Sequence, residues 1–241
     1  MDQFPAAWPH GELEEVFPDV FFVTGTMKTE LMNAPWHFSR NMTVVRDGDA
    51  LTLINSVRLD DAGLSKLDSL GRVTNVVRLG ALHGHDDAFY KSRYCATYWA
   101  PPGAPEKHGA VADKALVPSG ETPIAGSTVF SFSTAKLPEC VLHIDRAGGI
   151  VVACDALQNW VTPDDFFSDE SRQNMTGMGF FQQGNFGPVW MMVNEPGSED
   201  FTRLLQLKFR HALCGHGQPL RDIAHEAYSD RYRQVFQARG A

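Results

Sequence analysis

Three apolar runs in this chain stop at ionisable side chains, and that pattern limits what it can fold into. Val73–Leu79 leads into His83-Gly84-His85-Asp86-Asp87, Ile150–Ala153 into Asp155, and Phe209–Cys214 into His216 between two glycines. A buried strand can end in such a group at low cost only where the group reaches solvent, a partner or a metal ion. Two imidazoles and a carboxylate within five residues suit a borderline-soft divalent metal such as zinc. Taken alone, the same fragment also reads as a polar loop with exposed histidines.

The remaining elements frame these ends. Two β-rich runs, Met42–Val45 and Leu51–Ile54, flank Asp47-Gly48, a strong hairpin signal. Asp60 or Asp61 can cap a helix carrying Leu64, Leu67 and Leu70, with Gly71 as its stop. Pro101–Pro123, rich in Pro, Gly and Ala, reads as a long loop, and Thr128–Phe132 as a strand. Cys140–Ile144 and Ile150–Ala153 form a second hairpin. Asn159–Asn194, with four methionines and many aromatics, reads as an inserted loop-and-helix segment lying over a site like a lid. Asp200–Leu207 reads as a helix, and a last helix places Ile223, Ala227, Tyr232 and Val235 at helical spacing. Strands and helices alternate with several hairpins, which favours a layered αβ sandwich over a purely parallel sheet.

Length and charge exclude several classes. The 241 residues can bury a core without disulfide staples. The 21 Lys and Arg against 29 Asp and Glu form no basic stripe, so no nucleic-acid partner is expected. No stretch approaches about 18 uncharged apolar residues, so no membrane span is expected. The start MDQFPAAWPHGELEE has neither the basic beginning nor the apolar run of a signal peptide. The four cysteines, Cys95, Cys140, Cys154 and Cys214, form no CxxC pair and read as thiols. These features lead us to expect a cytoplasmic protein.

From about Asn41 to Tyr228 the chain resembles the metallo-β-lactamase-fold superfamily of metal-dependent hydrolases. LTLINSVRLDD resembles its LIDTG strand, HGHDDA its HxHxDH motif, IVVACDAL its LFTGDAL strand and LCGHGQP its PGHG turn. The resemblance implies an α+β fold, a four-layer αβ/βα sandwich, in a single domain over 1–241 with the lid-like insertion at 159–194. It implies metal ligands at His83, His85, Asp87, Asp155 and His216. Two positions depart from the pattern: Ala88 stands where a ligating histidine is expected, and Lys136 where another is. Asn55 replaces a usual aspartate.

Hairpin arithmetic pairs His143 with Val151, about 13 Å from the strand end, too far to ligate. The same arithmetic brings Glu139 and Lys136 near the site, Glu139 as an oxygen ligand or Lys136 as a fixed positive charge. Alternation points Cys154 away from Asp155, so Cys154 and Cys214 read as buried thiols.

The expected activity is hydrolysis of a small-molecule ester, thioester, lactone or phosphoester by metal-activated water. Asp87 would serve as ligand and proton acceptor, and Tyr90 or Lys136 as oxyanion stabiliser. The expected cofactor is one divalent ion rather than two, zinc first, with iron or manganese as alternatives. The competing expectation is a degenerate binding protein with weak or no metal. A flavin-coupled redox site would need more ligands than remain.

Overall fold

Asp47-Gly48 is the tip of a hairpin, as its residues predict, but the hairpin belongs to a larger unit. The computed structural model describes residues 4–237. Strands β1 (Glu14–Phe17), β2 (Val20–Leu31), β3 (Ala34–Asp47) and β4 (Ala50–Ile54) pair antiparallel in sequence order. The β2–β3 register runs unbroken from Val20↔Val45 to Leu31↔Ala34. It turns at Met32 and Asn33, which both take positive φ, the backbone of a tight hairpin loop. Regular structure therefore begins well before Asn41. Strands β5 (Arg72–Val77), β6 (Thr97–Ala100) and β7 (Lys114–Ala115) extend the sheet in parallel.

Helix α1 (Asp61–Leu70) crosses from β4 to β5, and helix α2 (Asp87–Tyr94) from β5 to β6. Asp60 caps α1 by accepting the Gly63 N–H at 2.8 Å, and Leu64 and Leu67 are its buried face. Burying each such leucine contributes about 1.5–3 kcal/mol.

The second sheet holds β8 (Ser127–Ser131), β9 (Cys140–Ile144), β10 (Ile150–Ala153) and, parallel to β10, a last strand. A short ribbon, β11 (Leu157–Gln158) with β12 (Asn185–Phe186), precedes that last strand, β13 (His211–Cys214). The β9–β10 hairpin pairs Val151 with His143, the register read from the sequence. Helices α3 (Asp169–Gly177), α4 (Pro188–Asn194), α5 (Ser198–Leu204) and α6 (Ala224–Tyr232) complete the chain, with one π-turn at Arg233–Gln237.

Three apolar clusters fix the layers. Val45, Ile54 and Val77 of the first sheet meet Leu142, Val152 and Leu213 of the second in a dry seam. On the outer face of the first sheet, Leu67 and Phe89 of α1 and α2 cover Leu53 and Val76. On the outer face of the second, Trp190, Phe201 and Tyr228 of α4, α5 and α6 cover Val151 and Ala212. The order is helix, sheet, sheet, helix, the four-layer α+β sandwich that the motifs imply. Among the described residues no helix is long and apolar enough to cross a membrane.

Candidate metal centre

The strand register brings the three ionisable ends together. In the parallel pair β10–β13, Ala153 lies opposite Cys214, so Asp155 and His216, each two residues further on, leave the sheet side by side. His83 reaches them from the turn after β5. The sheets are joined at this edge by Cys140 N–H to Leu79 O at 2.8 Å and by Ala81 N–H to Pro138 O at 3.0 Å. Asn55 joins them as well: its amide donates to Ala153 O at 2.9 Å and accepts from Leu79 N–H at 3.3 Å. The aspartate usual at this position could not make the first of these bonds.

His83 Nε2 lies 3.0 Å from His216 Nε2, which lies 3.1 Å from Asp155 Oδ1; His83 Nε2 is 3.5 Å from Asp155 Oδ2. Two ligand atoms bound to one tetrahedral zinc at about 2.0–2.1 Å stand about 3.3 Å apart. The three separations bracket that value. The protonation pattern also calls for a cation. His216 Nδ1 faces the carbonyl oxygen of Ser39 at 3.1 Å. A carbonyl only accepts, so Nδ1 carries the proton and the Nε2 of a neutral ring turns a lone pair towards the Asp155 carboxylate. Two acceptors at that distance need a cation between them, a proton or a metal ion.

The rings are held firmly. His216 packs on Trp160 and Phe38 with centroids 4.8 and 5.7 Å away. Gly215 is required here, since a Cβ would stand 2.9 Å from His83 Cε1.

Charge is unevenly shared around the three ligands. Burial would raise the Asp155 pKa, yet His83 and His216 hold it well below the ordinary carboxylate range. Burial lowers the pKa of His83, and Asp155 opposes that shift. Glu139 goes the other way, pushed well up by burial and by the Asp155 charge, while accepting the Ala156 N–H. Cys154 does not point away from Asp155: it keeps to the seam face with Val152, and Asp155, beyond the last paired residue of β10, turns to the same side. The Cys154 Sγ lies 3.5 Å from Asp155 Oδ2, and His83, Cys154 and Asp155 offer ligand atoms all within 4.8 Å of one another. Burial and the neighbouring carboxylates raise the Cys154 pKa well above its usual value, so it stays a thiol beside the cluster.

The cluster forms the floor of a cavity of about 230 Å³. Met27, Trp36 and Phe38 of the β2–β3 hairpin form one wall; Trp160, Met175 and Phe180 form the other. Arg40, His85, Lys107 and Gln158 add polar groups.

Solved structures with this arrangement of strands include metallo-β-lactamases. The enzyme FIM-1 of Pseudomonas aeruginosa, in its mono-zinc form, superposes with a TM-score of 0.61 over 96% of this chain and 98% of its own, at 12% identity. DIM-1 gives a TM-score of 0.63 over 94% and 100% at 13% identity. A metallo-β-lactamase of Hirschia baltica gives 0.59 over 92% and 97% at 12% identity. The chain has the metallo-β-lactamase fold. No family model matches the sequence, and no curated protein matches it.

Within this metallo-β-lactamase fold the other motif residues take different places. Asp87 is buried away from the cluster, its two oxygens accepting Ser56 Oγ–H at 2.5 Å and Tyr98 O–H at 2.9 Å. Burial raises its pKa against those two bonds and the nearby Arg78 charge. His85 lines the cavity but stands outside the three-way contact. Burial, with Lys107 and Arg40 near by, pushes its pKa down to about 3, leaving a neutral imidazole.

Tyr90 does not face the site. Its hydroxyl donates to Val57 O at 2.7 Å and accepts from Leu59 N–H at 3.1 Å, pinning the loop before α1. Lys136 does not face it either. Its backbone is tied to Asn194 O, and its exposed ammonium pairs with Glu195 Oε2 at 2.8 Å. The expectation of an oxyanion group at either position is corrected. His143 donates to Lys208 O at 2.8 Å, a satisfied strand histidine.

Four residues escaped the sequence reading. Arg78, 1% exposed, donates to the carbonyls of Gly80, Ala81 and Pro105 and so shapes the turn that carries His83. Gly84, at φ +100°, lies where a Cβ would be 2.9 Å from the Arg78 Nε, which explains the glycine between the two histidines. Lys107 and Gln158 border the cavity from a Pro/Gly-rich loop and a two-residue strand, where no motif announces them.

Proposed function

We propose that this protein is a metal-dependent hydrolase acting on a small ester, thioester, lactone or phosphoester. The observation that supports this most is the convergence of His83, Asp155 and His216, at separations suited to one tetrahedral ion, on the floor of an apolar cavity. A three-residue set leaves the fourth position of such an ion open, as in catalytic rather than structural zinc sites. A divalent ion held there, zinc as first choice, would bring bound water to a pKa of about 7 and polarise the attacked oxygen. The donor set provides one such place, in line with one ion per chain.

The chain's own residues supply the rest. Ser39 O fixes the His216 tautomer, which keeps Nε2 available as a ligand. Trp160 and Phe38 keep the ring in place and exclude water from one side of the site. Asp155 stays ionised beside two imidazoles. Trp36, Phe180 and Met175 receive the apolar part of a substrate.

The second reading is a binding protein of the same fold without metal. It is favoured by the withdrawal of Asp87 and by the position of His85 outside the three-way contact. One experiment separates the two. Metal-stripped protein is reloaded with zinc, manganese or iron and assayed on a panel of activated esters, thioesters, lactones and phosphodiesters, with His83→Ala alongside. The hydrolase reading expects metal-dependent turnover of one of these classes, abolished in His83→Ala. Protein that takes up no metal and turns over nothing on the panel would refute it and leave the binding protein.

A further inference from the structure

We infer that Gln158 selects substrates carrying an uncharged N–H donor beside an apolar body, an inference that rests on the proposed hydrolase and narrows its substrate class. Strand β11 brings Gln158 to the cavity three residues after Asp155, beside Trp160 and Phe180. A polar side chain is out of character on that wall. Gln158 is 4% exposed, and its Oε1 is buried without a partner among the described residues.

Other buried amides are put to use by the fold. Asn55 bonds both sheets, and Asn159 donates to Gln218 O at 2.8 Å while accepting the Gly184 N–H at 3.0 Å. Asn41 and Asn185 also have an unpartnered oxygen, but neither lines the cavity. Their amide nitrogens hold the backbone, Asn41 at Cys214 O and Gly217 O, Asn185 at Gly179 O and Phe180 O. Among the described residues no hydrogen bond ties the Gln158 side chain to the fold. The Tyr228 hydroxyl that reaches this residue donates, at 3.2 Å, to its main-chain oxygen. A leucine or methionine would fill the same space without an orphaned acceptor, so stability does not account for the amide.

The surroundings leave the amide room and select the kind of donor it takes. Gly187 has an ordinary negative φ, and what it provides is space: a Cβ there would meet Asp155 O at 2.1 Å and Gln158 Nε2 at 2.9 Å. The last torsion of a glutamine is soft, so the amide plane can turn Oε1 towards a molecule in the cavity. Arg40 and Lys107 border that cavity, and a cation at the metal centre would compensate Asp155. A cationic donor brought to Oε1 would face these positive groups, so the matching donor is uncharged. One acceptor satisfies an amide N–H completely, whereas a hydroxyl would bring two further lone pairs against aromatic rings. A substrate with that N–H pairs the acceptor; an analogue without it leaves the acceptor orphaned, which is the basis of selection.

The test uses two probes of the same shape, N-methyl-2-phenylacetamide and 1-phenylbutan-2-one, in which a CH2 replaces the N–H. Both are titrated calorimetrically into metal-stripped and zinc-loaded protein. Relative to the ketone, wild type should bind the amide at least about tenfold better than Gln158→Leu does. The same loss is expected in Gln158→Met, which keeps the reach of the side chain without its acceptor, and in both metal states. The inference is overturned if both variants keep the wild-type ratio, or if neither probe binds wild type. It is also overturned if the effect appears only with zinc, since the metal would then be what tells the two carbonyl compounds apart. Turnover plays no part in this readout. A protein that shows the Gln158-dependent preference but hydrolyses nothing on the panel would refute the hydrolase reading alone.

Discussion

Asp87 and Asp155 are both buried, both follow a strand of the sandwich core, and both stand where the sequence resemblance implies a metal ligand, yet their surroundings give them opposite tasks. Asp87 opens helix α2 beside Ser56, Tyr98 and the guanidinium of Arg78, and burial raises its pKa. Each of its oxygens has a hydroxyl partner, and the group braces the turn that carries the histidines. Asp155 meets two imidazoles, its pKa is held down, and its neighbours need a cation to be at rest. An aspartate in a ligand motif is therefore only a candidate. What decides is whether the groups facing it are donors that satisfy it or acceptors that need a cation between them.

The largest expected effect is on the braced side. Removing the Arg78 charge strands three carbonyls and takes from Asp87 a cation that favours its charged form. Breaking a buried charged arrangement by deleting one partner typically costs about 3–5 kcal/mol. Arg78→Met should lose that much in urea unfolding of the metal-free protein. Arg210→Met, which removes an exposed pair with Asp222, should lose less than about 1 kcal/mol. Equal losses would mean that the buried guanidinium braces nothing.

Next in size is metal retention, which compares the two aspartates directly. Asp155→Asn should weaken zinc binding by at least about a hundredfold, because a charged ligand is lost. Asp87→Asn should change it by less than about tenfold, the lower end of what an outer-shell partner gives. Competition with a chromogenic chelator measures both. If Asp87→Asn matches Asp155→Asn, Asp87 moves into the cluster when metal binds, and the distinction drawn above is wrong.

The sequence showed the edge of the sheet better than it showed the site. The three strand ends, the Asp60 cap and the His143–Val151 register were legible because hairpin turns, capping residues and apolar runs are local signals. The fate of Asp87 was not, because Ser56 and Tyr98 reach it from other elements. Lys136 was misplaced for a related reason. Counting along the β9–β10 hairpin placed it near the strand end, but the loop before β9 is tied to the end of α4 through Asn194 and Glu195, which turns the side chain outwards. The relation of Cys154 to Asp155 was misread because alternation, which holds to Cys154, was carried on to Asp155. The strands before Asn41 passed unnoticed because the positive-φ turn at Met32-Asn33 lacks the glycine that marks most such turns.

The smallest effect tests whether the two ends differ in polar satisfaction as well as in charge. Around Asp87 both oxygens are paired. Beside Asp155, the amide of Gln158 lines the cavity with its Oε1 buried and without a partner among the described residues. An unsatisfied buried acceptor costs about 1–3 kcal/mol, whereas a hydrogen bond to a charged group contributes about 1.5–3 kcal/mol. The two ends should therefore respond with opposite signs. Tyr98→Phe, which takes one donor from Asp87, should destabilise the metal-free protein by about 1.5–3 kcal/mol. Gln158→Leu, close in volume and without the orphaned acceptor, should stabilise it by up to about 1 kcal/mol. Urea midpoints at constant slope give both values. A destabilised Gln158→Leu would mean that the acceptor has a partner in solution, such as an ordered water, and that the cavity side is as fully satisfied as the braced side. A stabilised one would mark Gln158 as a polar group kept at a cost to stability, a cost that binding can offset if a ligand brings a donor to Oε1.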